Sequence, residues 1–317
     1  MASNKVVIIN HEYADLSLER DRLRQFGLEL SEAQTATEEE TIAALRDAAG
    51  VICIYADLTS RVLAEMRECK VIARPGIGYD MIDVPAARSH GIEVTNVPDY
   101  GPDEIADQAV ALLLAIRRRI LEHDRNIREG RWDYKLVGPL YRLREDTLGV
   151  VGFGKIGQRF AAKMREIVPV ILAYDPFAPE ELFTRAGVRR VSLEELLRES
   201  DAISLHAPAV PETHHIIRDE TIRMMEKRPV IINTSRGKLV DTAALVRGLT
   251  SGAISGAGLD VLETEPRVPP ELLALDNVVL TPHAAWFTVE NELEVRTRSV
   301  EDVIRVIRGE KPRNPVP

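Results

Sequence analysis

The sequence predicts an α/β protein made of two doubly wound parallel-sheet domains, a Rossmann-type domain inserted in a flavodoxin-like one. Three observations carry that expectation. The chain has 317 residues, enough for about two domains of roughly 150 residues. Short β-branched runs alternate with amphipathic stretches along most of its length, the rhythm of βα units wound around a parallel sheet. One of those runs leads directly into a glycine-rich turn and then a helical stretch, the arrangement that brings a backbone close to a pyrophosphate.

Taken in order, residues 6–10, 51–55, 71–74 and 92–96 read as strands. Between them, residues 18–26 form a helical stretch stopped by Gly27, and Thr37 followed by Glu38, Glu39 and Glu40 is a capped helix start matched to the helix dipole. Pro98 and Pro102 then interrupt the rhythm. A long helix is expected from Asp103 to about Leu121, with proline at its first position and carboxylates in its first turn. A second series of strands follows at 148–153, 170–174, 202–206, 230–233, 256–260 and 278–280, six in all. The amphipathic stretch 289–307 comes after that sheet is complete and is expected to return to the first domain. The expected division is therefore a substrate domain of residues 1–100 completed by 288–317, and a nucleotide-binding domain of residues 101–287.

Composition narrows the function. Lys plus Arg is 41 against 50 for Asp plus Glu, a net charge of −9, which argues against a nucleic-acid partner. No run approaches the roughly 18 apolar residues of a membrane span, and residues 6–9 are too short for a signal peptide. Cys53 and Cys69 match no metal or redox spacing and read as free thiols in a reducing compartment. No metal is expected, and the cytoplasm is the expected location.

The glycine turn is Gly152, Phe153, Gly154, Lys155, Ile156 and Gly157. The next strand ends at Asp175, where a carboxylate can accept hydrogen bonds from both ribose hydroxyls of an adenosine. No Arg or Lys follows closely, and a carboxylate repels a 2′-phosphate, so NAD is expected over NADP. His206, Ala207 and Pro208, with Thr213 beyond them, are further cofactor candidates at the end of the 202–206 strand, although a structural role suits His206 equally well.

Ligands of open parallel sheets bind beyond the carboxyl ends of the strands, which directs attention to Arg236 after Thr234 and Ser235, to Glu265 after Asp260, and to His283 after Pro282. Singly, these read as a surface ion pair, a turn residue and a loop residue. Together they supply a cation for a carboxylate, an imidazole able to move a proton, and a carboxylate to fix the tautomer of that ring. Such a set suits hydride transfer at a carbinol carbon beside a carboxylate. In the first domain Arg74, Pro75, Gly76, Ile77 and Gly78 also follow a strand end, and the glycines could turn backbone N–H groups toward a small anion. Domain closure around the substrate would exclude water. Adjacent His214 and His215 are wrongly spaced for a metal pair on one helical face. The run Arg117, Arg118, Arg119 reads as a solvated or subunit-contacting face.

With these motifs in this order, the chain resembles the NAD-dependent D-2-hydroxyacid dehydrogenase family over nearly its whole length. The resemblance implies that His283 is the general acid/base, Glu265 its partner and Arg236 the binder of the substrate carboxylate and carbonyl. It implies that Ile77 and Gly78 amides complete the anion site, that Asp260 contacts the nicotinamide carboxamide, and that Thr234 lies along the cofactor. It also implies a homodimer formed through the nucleotide-binding domains. Because Ala284, Ala285 and Trp286 follow His283, the chain looks most like the branch of the C-terminal binding proteins, whose pocket uses a tyrosine, an arginine and a tryptophan; Tyr55, Arg74 and Trp286 are the matching residues here. Where phosphoglycerate-specific relatives carry an Arg-Ser pair, this chain has Ala56 and Asp57 after Tyr55, and the acid would oppose a phosphate. The expected activity is NADH-dependent reduction of a small 2-keto acid; the alternatives are an NAD(H)-responsive binding or corepressor-type protein and, behind it, a phosphoglycerate dehydrogenase.

Overall fold

The structure is a computed structural model that describes residues 3–317. The chain divides into two compact units, Met1–Tyr100 with Thr288–Pro317, and Gly101–Phe287.

The first unit begins with β1 (Lys5–Ile9), α1 (Ser17–Arg24), β2 (Glu29–Ala33), α2 (Glu38–Leu45), β3 (Gly50–Cys53), α3 (Ser60–Glu65), β4 (Val71–Ala73), α4 (Val84–Ser89) and β5 (Glu93–Thr95). Its parallel sheet has the order β2-β1-β3-β4-β5, the flavodoxin-like winding. Alternate residues of each strand serve opposite faces: Val7, Ile9, Val51 and Ile72 pack with α2 and α3 residues such as Leu45 and Leu63, while Val6, Ile8, Ile52 and Val71 pack on the other side with Leu23 of α1. Apolar residues on both faces are what a parallel sheet covered on both sides requires. The start of α2 is a complete capping box: Thr37 Oγ1 accepts from Glu40 N–H, and the Glu40 side chain accepts from Thr37 N–H. β2 is absent from the sequence expectation because its residues, Glu-Leu-Ser-Glu-Ala, are those of a half-exposed edge with little β-branched character.

The second unit runs through α5 (Pro102–Arg117), α6 (Ile120–Arg128), β6 (Thr147–Val151), α7 (Lys155–Met164), β7 (Val170–Tyr174), α8 (Glu180–Ala186), β8 (Arg189–Arg190), α9 (Leu193–Glu199), β9 (Ala202–Leu205), α10 (Asp219–Ile222), β10 (Val230–Asn233), α11 (Thr242–Ser251), β11 (Gly256–Leu259), α12 (Pro270–Leu273) and β12 (Val278–Leu280). Its seven strands are parallel, in the order β12-β11-β10-β9-β6-β7-β8. This is the Rossmann order with one strand added beyond β11. The sheet is one strand wider than its six sequence candidates because β8 is only Arg189 and Arg190, too short and too charged to show periodicity.

The expected single helix from Asp103 to about Leu121 is two helices. It breaks at Arg119, whose φ of 49° is left-handed. Arg117 is also unlike the solvated residue expected from the arginine run: it is largely buried and ion-paired with Asp146.

The chain then forms α13 (Val289–Ile307), whose Val300, Val303 and Ile304 fill the face of the first sheet beside α1. Arg296 of α13 donates from Nε and Nη2 to both carboxylate oxygens of Glu19 on α1, at 2.7 and 2.8 Å, and its guanidinium lies 4.4 Å from the Tyr13 ring centre. Glu19 is 1% exposed. Removing Glu19 leaves the largely buried Arg296 guanidinium to Glu292, 2.9 Å from Nη1, and breaking a buried pair from one side is costly. Glu19→Ala should therefore cost on the order of 3 kcal/mol in a denaturant titration, and adding Arg296→Met should recover part of the loss; a midpoint unchanged by Glu19→Ala would remove this pair as a fastener of α13.

Candidate functional site

All strands of the second sheet point the same way, so the turns that leave their carboxyl ends share one edge. The winding reverses between β6 and β9, which makes the turn after β6 the place for a nucleotide. Gly152 there has φ 89°, and a Cβ on it would fall 2.6 Å from the backbone of His206 and Ala207. A Cβ on Gly157 would sit 2.2 Å from the Gly152 carbonyl oxygen. Gly154, by contrast, borders open space, and α7 begins just after it with no side-chain cap. The helix start thus offers uncapped N–H groups behind a bare backbone, the cradle a pyrophosphate needs.

Asp175, after β7, is held by three backbone N–H groups: Phe153 on one oxygen at 2.8 Å, and Phe177 and Ala178 on the other at 2.9 and 3.1 Å. Its carboxylate is fixed beside the glycine turn, and of its roughly four lone-pair sites one remains, on the oxygen that accepts from Phe153, for a ribose hydroxyl. Thr234 Oγ1 is buried without a partner, a hydroxyl left for a ligand. These residues fit an NAD dinucleotide. The structure adds a cation that the local sequence lacks: Arg190, from β8, donates to the Asp175 carbonyl at 3.0 Å and pairs with Glu180.

His206 is at the same edge through its backbone, its N–H donating to Val151 O at 2.7 Å. Its ring turns inward, onto Phe160 and 2.9 Å from Ser204 Oγ. Burial pushes this imidazole down to about 3, so it is neutral. Ser235 Oγ donates to Ala207 O, and Thr213 Oγ1 donates to Pro208 O, both at 2.6 Å. These two hydroxyls tie down the loop that holds Ala207 and Pro208.

Three turns at this edge carry Arg236, Glu265 and His283. Asn233, at the end of β10, staples the first turn by accepting from Ser235 N–H and donating to Arg236 O. Arg236 Nη1 donates to Ser235 O at 2.8 Å. His283 has φ 54°, a left-handed conformation that costs a non-glycine residue about 1–2 kcal/mol. Asp260, 2% exposed, supports it. One oxygen of Asp260 accepts from Thr281 Oγ1 and Ala284 N–H, the other from Ala285 N–H, and its carbonyl accepts from His283 N–H at 2.8 Å. No sequence motif pointed to this task, and it leaves any nicotinamide contact to the remaining lone pairs of Asp260.

His283 Nδ1 lies 2.8 Å from Glu265 Oε2, and the other oxygen of Glu265 accepts from Leu262 N–H at 2.8 Å. Burial works against the charged form of Glu265. The hydrogen bond and charge of His283, the Leu262 N–H and the charge of Arg236 outweigh it and hold the carboxyl below the usual glutamate range. An ionised carboxylate only accepts, so Nδ1 carries a hydrogen and Nε2 is left to exchange a proton with a ligand. Trp286, directly after the buried Ala285, is half-buried and meets Phe287 edge-on at 5.7 Å.

The remaining candidates belong to the first unit, at the carboxyl ends of its strands. Tyr55 follows β3 and is exposed. Arg74 follows β4; it is buried, Nη1 donates to Pro75 O, and Nε has no hydrogen-bond partner. Ile77 accepts from Asn96 Nδ2 at 2.7 Å, and Gly76 O accepts from Val97 N–H at 2.9 Å. The backbone around Gly76, Ile77 and Gly78 is thereby anchored to the segment after β5. Among the described residues no cluster of metal-ligating side chains occurs, and no helix is long and apolar enough to cross a membrane.

Residues 110–285 match the family described as D-isomer specific 2-hydroxyacid dehydrogenase, NAD binding domain. The chain is a member of the D-isomer specific 2-hydroxyacid dehydrogenase family. It is 40% identical over 279 residues to a glyoxylate reductase of Korarchaeum cryptofilum, covering 86% of this chain and 84% of that protein. It is 38% identical over 290 residues to a D-3-phosphoglycerate dehydrogenase of Methanocaldococcus jannaschii, covering 91% of this chain but 55% of the relative. The solved D-lactate dehydrogenase of Aquifex aeolicus, in complex with NAD and lactic acid, superposes with a TM-score of 0.86 at 32% identity over 96% of each chain. This dehydrogenase is accordingly an NAD-dependent oxidoreductase acting on a CH–OH group.

The opposing influences on Glu265 give this dehydrogenase a measurable signature. Its carboxylate should stay charged below the ordinary glutamate range and lose its charge only as pH falls through that lowered value. In His283→Ala burial remains while the stabilising hydrogen bond goes, so the Glu265 titration, followed by NMR of 13C-labelled carboxyls, should move to higher pH. An unmoved midpoint would mean that the pair contributes nothing to the charge of the site.

Proposed function

We propose that the chain is an NADH-dependent D-2-hydroxyacid dehydrogenase that reduces a small 2-keto acid to the D-2-hydroxy acid, and runs the reverse reaction. The observation that carries this reading is the 2.8 Å bond from His283 Nδ1 to Glu265, with Arg236 close enough to favour the charged form of that glutamate. A guanidinium, a proton carrier and its orienting carboxylate then serve one small ligand. When bound, NADH supplies the hydride that adds to the keto carbon. Arg236 grips the substrate carboxylate through paired N–H groups, which fixes the face of the carbonyl that is presented. Protonated His283 gives its Nε2 proton to the carbonyl oxygen as that oxygen gains negative charge, and takes it back from the alcohol in the reverse direction. Glu265 keeps the ring in the tautomer that does this. In this reading the unit of residues 101–287 holds NAD, through the 152–157 turn, Asp175, Thr234 and the loops of Ala207, Pro208 and Ser235. Residues 1–100 with 288–317 hold the substrate.

Several features favour a small, unphosphorylated keto acid. Arg74 Nε is buried and unpartnered, and the Ile77 and Gly78 amides neighbour it in sequence. In this reading Trp286, three residues past His283, narrows the room for a substrate side chain. Asp57, exposed after Tyr55, opposes a phosphate. The glyoxylate and lactate named for the relatives are of the size proposed.

A homodimer is part of the proposal. Ile120, Leu121 and Ile127 on α6, with Trp132, Tyr134 and Tyr141 beyond it, are all exposed, and this concentration of exposed apolar residues in one stretch of chain favours coverage by a second subunit. The reducing state expected of Cys53 and Cys69, both buried and free, agrees with a cytoplasmic enzyme.

His283→Ala should lower kcat for glyoxylate reduction by about 10²- to 10⁴-fold, the range for one general acid, with NADH affinity by fluorescence titration retained. A panel of glyoxylate, hydroxypyruvate, pyruvate and bulkier 2-keto acids, each with NADH and NADPH, should give turnover with the smaller acids and NADH, and a D product by chiral chromatography. Tight NADH binding with no turnover would instead favour a cofactor-responsive binding protein, and NAD reduction by phosphoglycerate, in a separate assay of the oxidation, with no keto acid turned over would replace the substrate.

A further inference from the structure

A second histidine–glutamate pair lies outside the set just described, at the place where the turns that carry Arg236 and Glu265 meet. His215 has φ 50°. Its N–H donates to Lys238 O at 2.9 Å, Ile217 N–H donates to Leu239 O at 3.0 Å, and Asp241 N–H donates back to Ile217 O at 2.9 Å. These bonds zip the 215–217 segment to the chain just after Arg236. The His215 ring stacks on His214, with ring centres 3.9 Å apart, and its Nε2 lies 2.6 Å from Glu263 Oε1.

Glu263 is two residues from Glu265, and its second oxygen accepts from Thr242 twice, from N–H at 3.2 Å and from Oγ1 at 2.9 Å. Thr242 opens α11, a ten-residue helix whose N-terminal dipole favours an anion there. Burial works against the charge on Glu263, but the bonds from His215 and Thr242 prevail and hold its carboxyl below the usual range. The two turns are also in backbone contact. A Cβ on Gly237, next to Arg236, would lie 1.9 Å from the Leu262 carbonyl oxygen and 2.4 Å from Glu263 N. Only a bare backbone can pack so closely, so the Arg236 turn and the Glu265 loop touch with no side chain between them.

We propose that His215, Glu263 and Thr242 form a positioning set that locks the Arg236 turn to the Glu265 loop, and so sets where the keto-acid carboxylate sits relative to the proton carried by His283. None of the three touches substrate in this account. Glu263 joins three chain segments at one carboxylate: the loop it belongs to, the helix after the Arg236 turn, and the 215–217 segment. Contact at Gly237 alone would still let the Glu265 loop pivot. The bonds of Glu263 to either side remove that freedom. The inference rests on the proposed roles of Arg236, Glu265 and His283.

The test uses the full-length protein, with glyoxylate and NADH as probes and His283→Ala as control. A displacement of about an ångström at a reacting centre costs up to roughly 10²-fold. His215→Ala and Glu263→Ala should therefore each lower kcat/KM for glyoxylate by about 10- to 100-fold, with KM raised as well as kcat lowered, while NADH affinity stays within about twofold of the wild type. Glu263→Gln keeps an acceptor for Thr242 and can still bond to the imidazole, so it should recover most of the loss. If the alanine variants do not fold, His215→Gln and Thr242→Val carry the same comparison, and each should raise KM for glyoxylate without changing NADH affinity. Wild-type kcat/KM in these variants, or a loss matched by equal losses of NADH affinity and thermal midpoint, would overturn the proposal. The reading of the site fails separately, if His283→Ala retains full turnover.

Discussion

The bond between His283 and Glu265 is the interaction on which the rest of the site depends. An imidazole in solution offers either nitrogen to a proton, and a ligand beside it meets the wrong tautomer part of the time. With Nδ1 bonded at 2.8 Å to an ionised carboxylate, that choice is removed and Nε2 becomes the exchanging atom. The carboxylate in turn remains ionised, despite its partial burial, because the imidazole, a backbone N–H and the arginine of the neighbouring turn outweigh the cost of desolvation. Each partner keeps the other in the state that the proposed proton transfer requires.

Much of the second unit can be understood as support for that bond. The parallel sheet delivers its turns to one edge, but turns are the least constrained parts of such a fold. Here they are fastened by buried polar groups. Asp260 spends both oxygens and its carbonyl on the turn that holds His283 in a left-handed conformation. Asn233 staples the turn of Arg236. The glycine turn and Asp175 are joined in the same way, through Phe153 N–H. The turn proposed to cradle the cofactor and the pair proposed to transfer the proton are thus built by one device, a strand-end carboxylate or amide that satisfies the backbone of a neighbouring turn.

The features legible in the sequence were those with local causes. Ten of the strands are short β-branched or apolar runs, most of them buried along most of their length, and the alternation of such runs with amphipathic stretches identifies the winding without any distant information. The glycine turn and the candidates Asp175, Arg236, Glu265 and His283 were found because strand ends can be located and ligands gather beyond them. What stayed hidden depends on residues far apart in the chain. The edge strands β2 and β8 gain their structure from a neighbour, not from their own composition. The break at Arg119 lies in a stretch whose helical pattern continues on both sides. Arg190 reaches Asp175 from the next strand, and His215 reaches Glu263 across 48 positions; neither pairing has a spacing that a motif could encode.

The central claim is that Glu265 acts through His283 and not as an independent group. The most direct measurement is a double-mutant cycle on kcat/KM for keto-acid reduction with wild type, Glu265→Gln, His283→Asn and the double variant. If the two residues work as one unit, the double variant should be no slower than His283→Asn alone, the strong non-additivity expected of groups with a single function. Losses that multiply across the cycle would contradict the account, because the carboxylate would then be contributing by a route that does not pass through the imidazole.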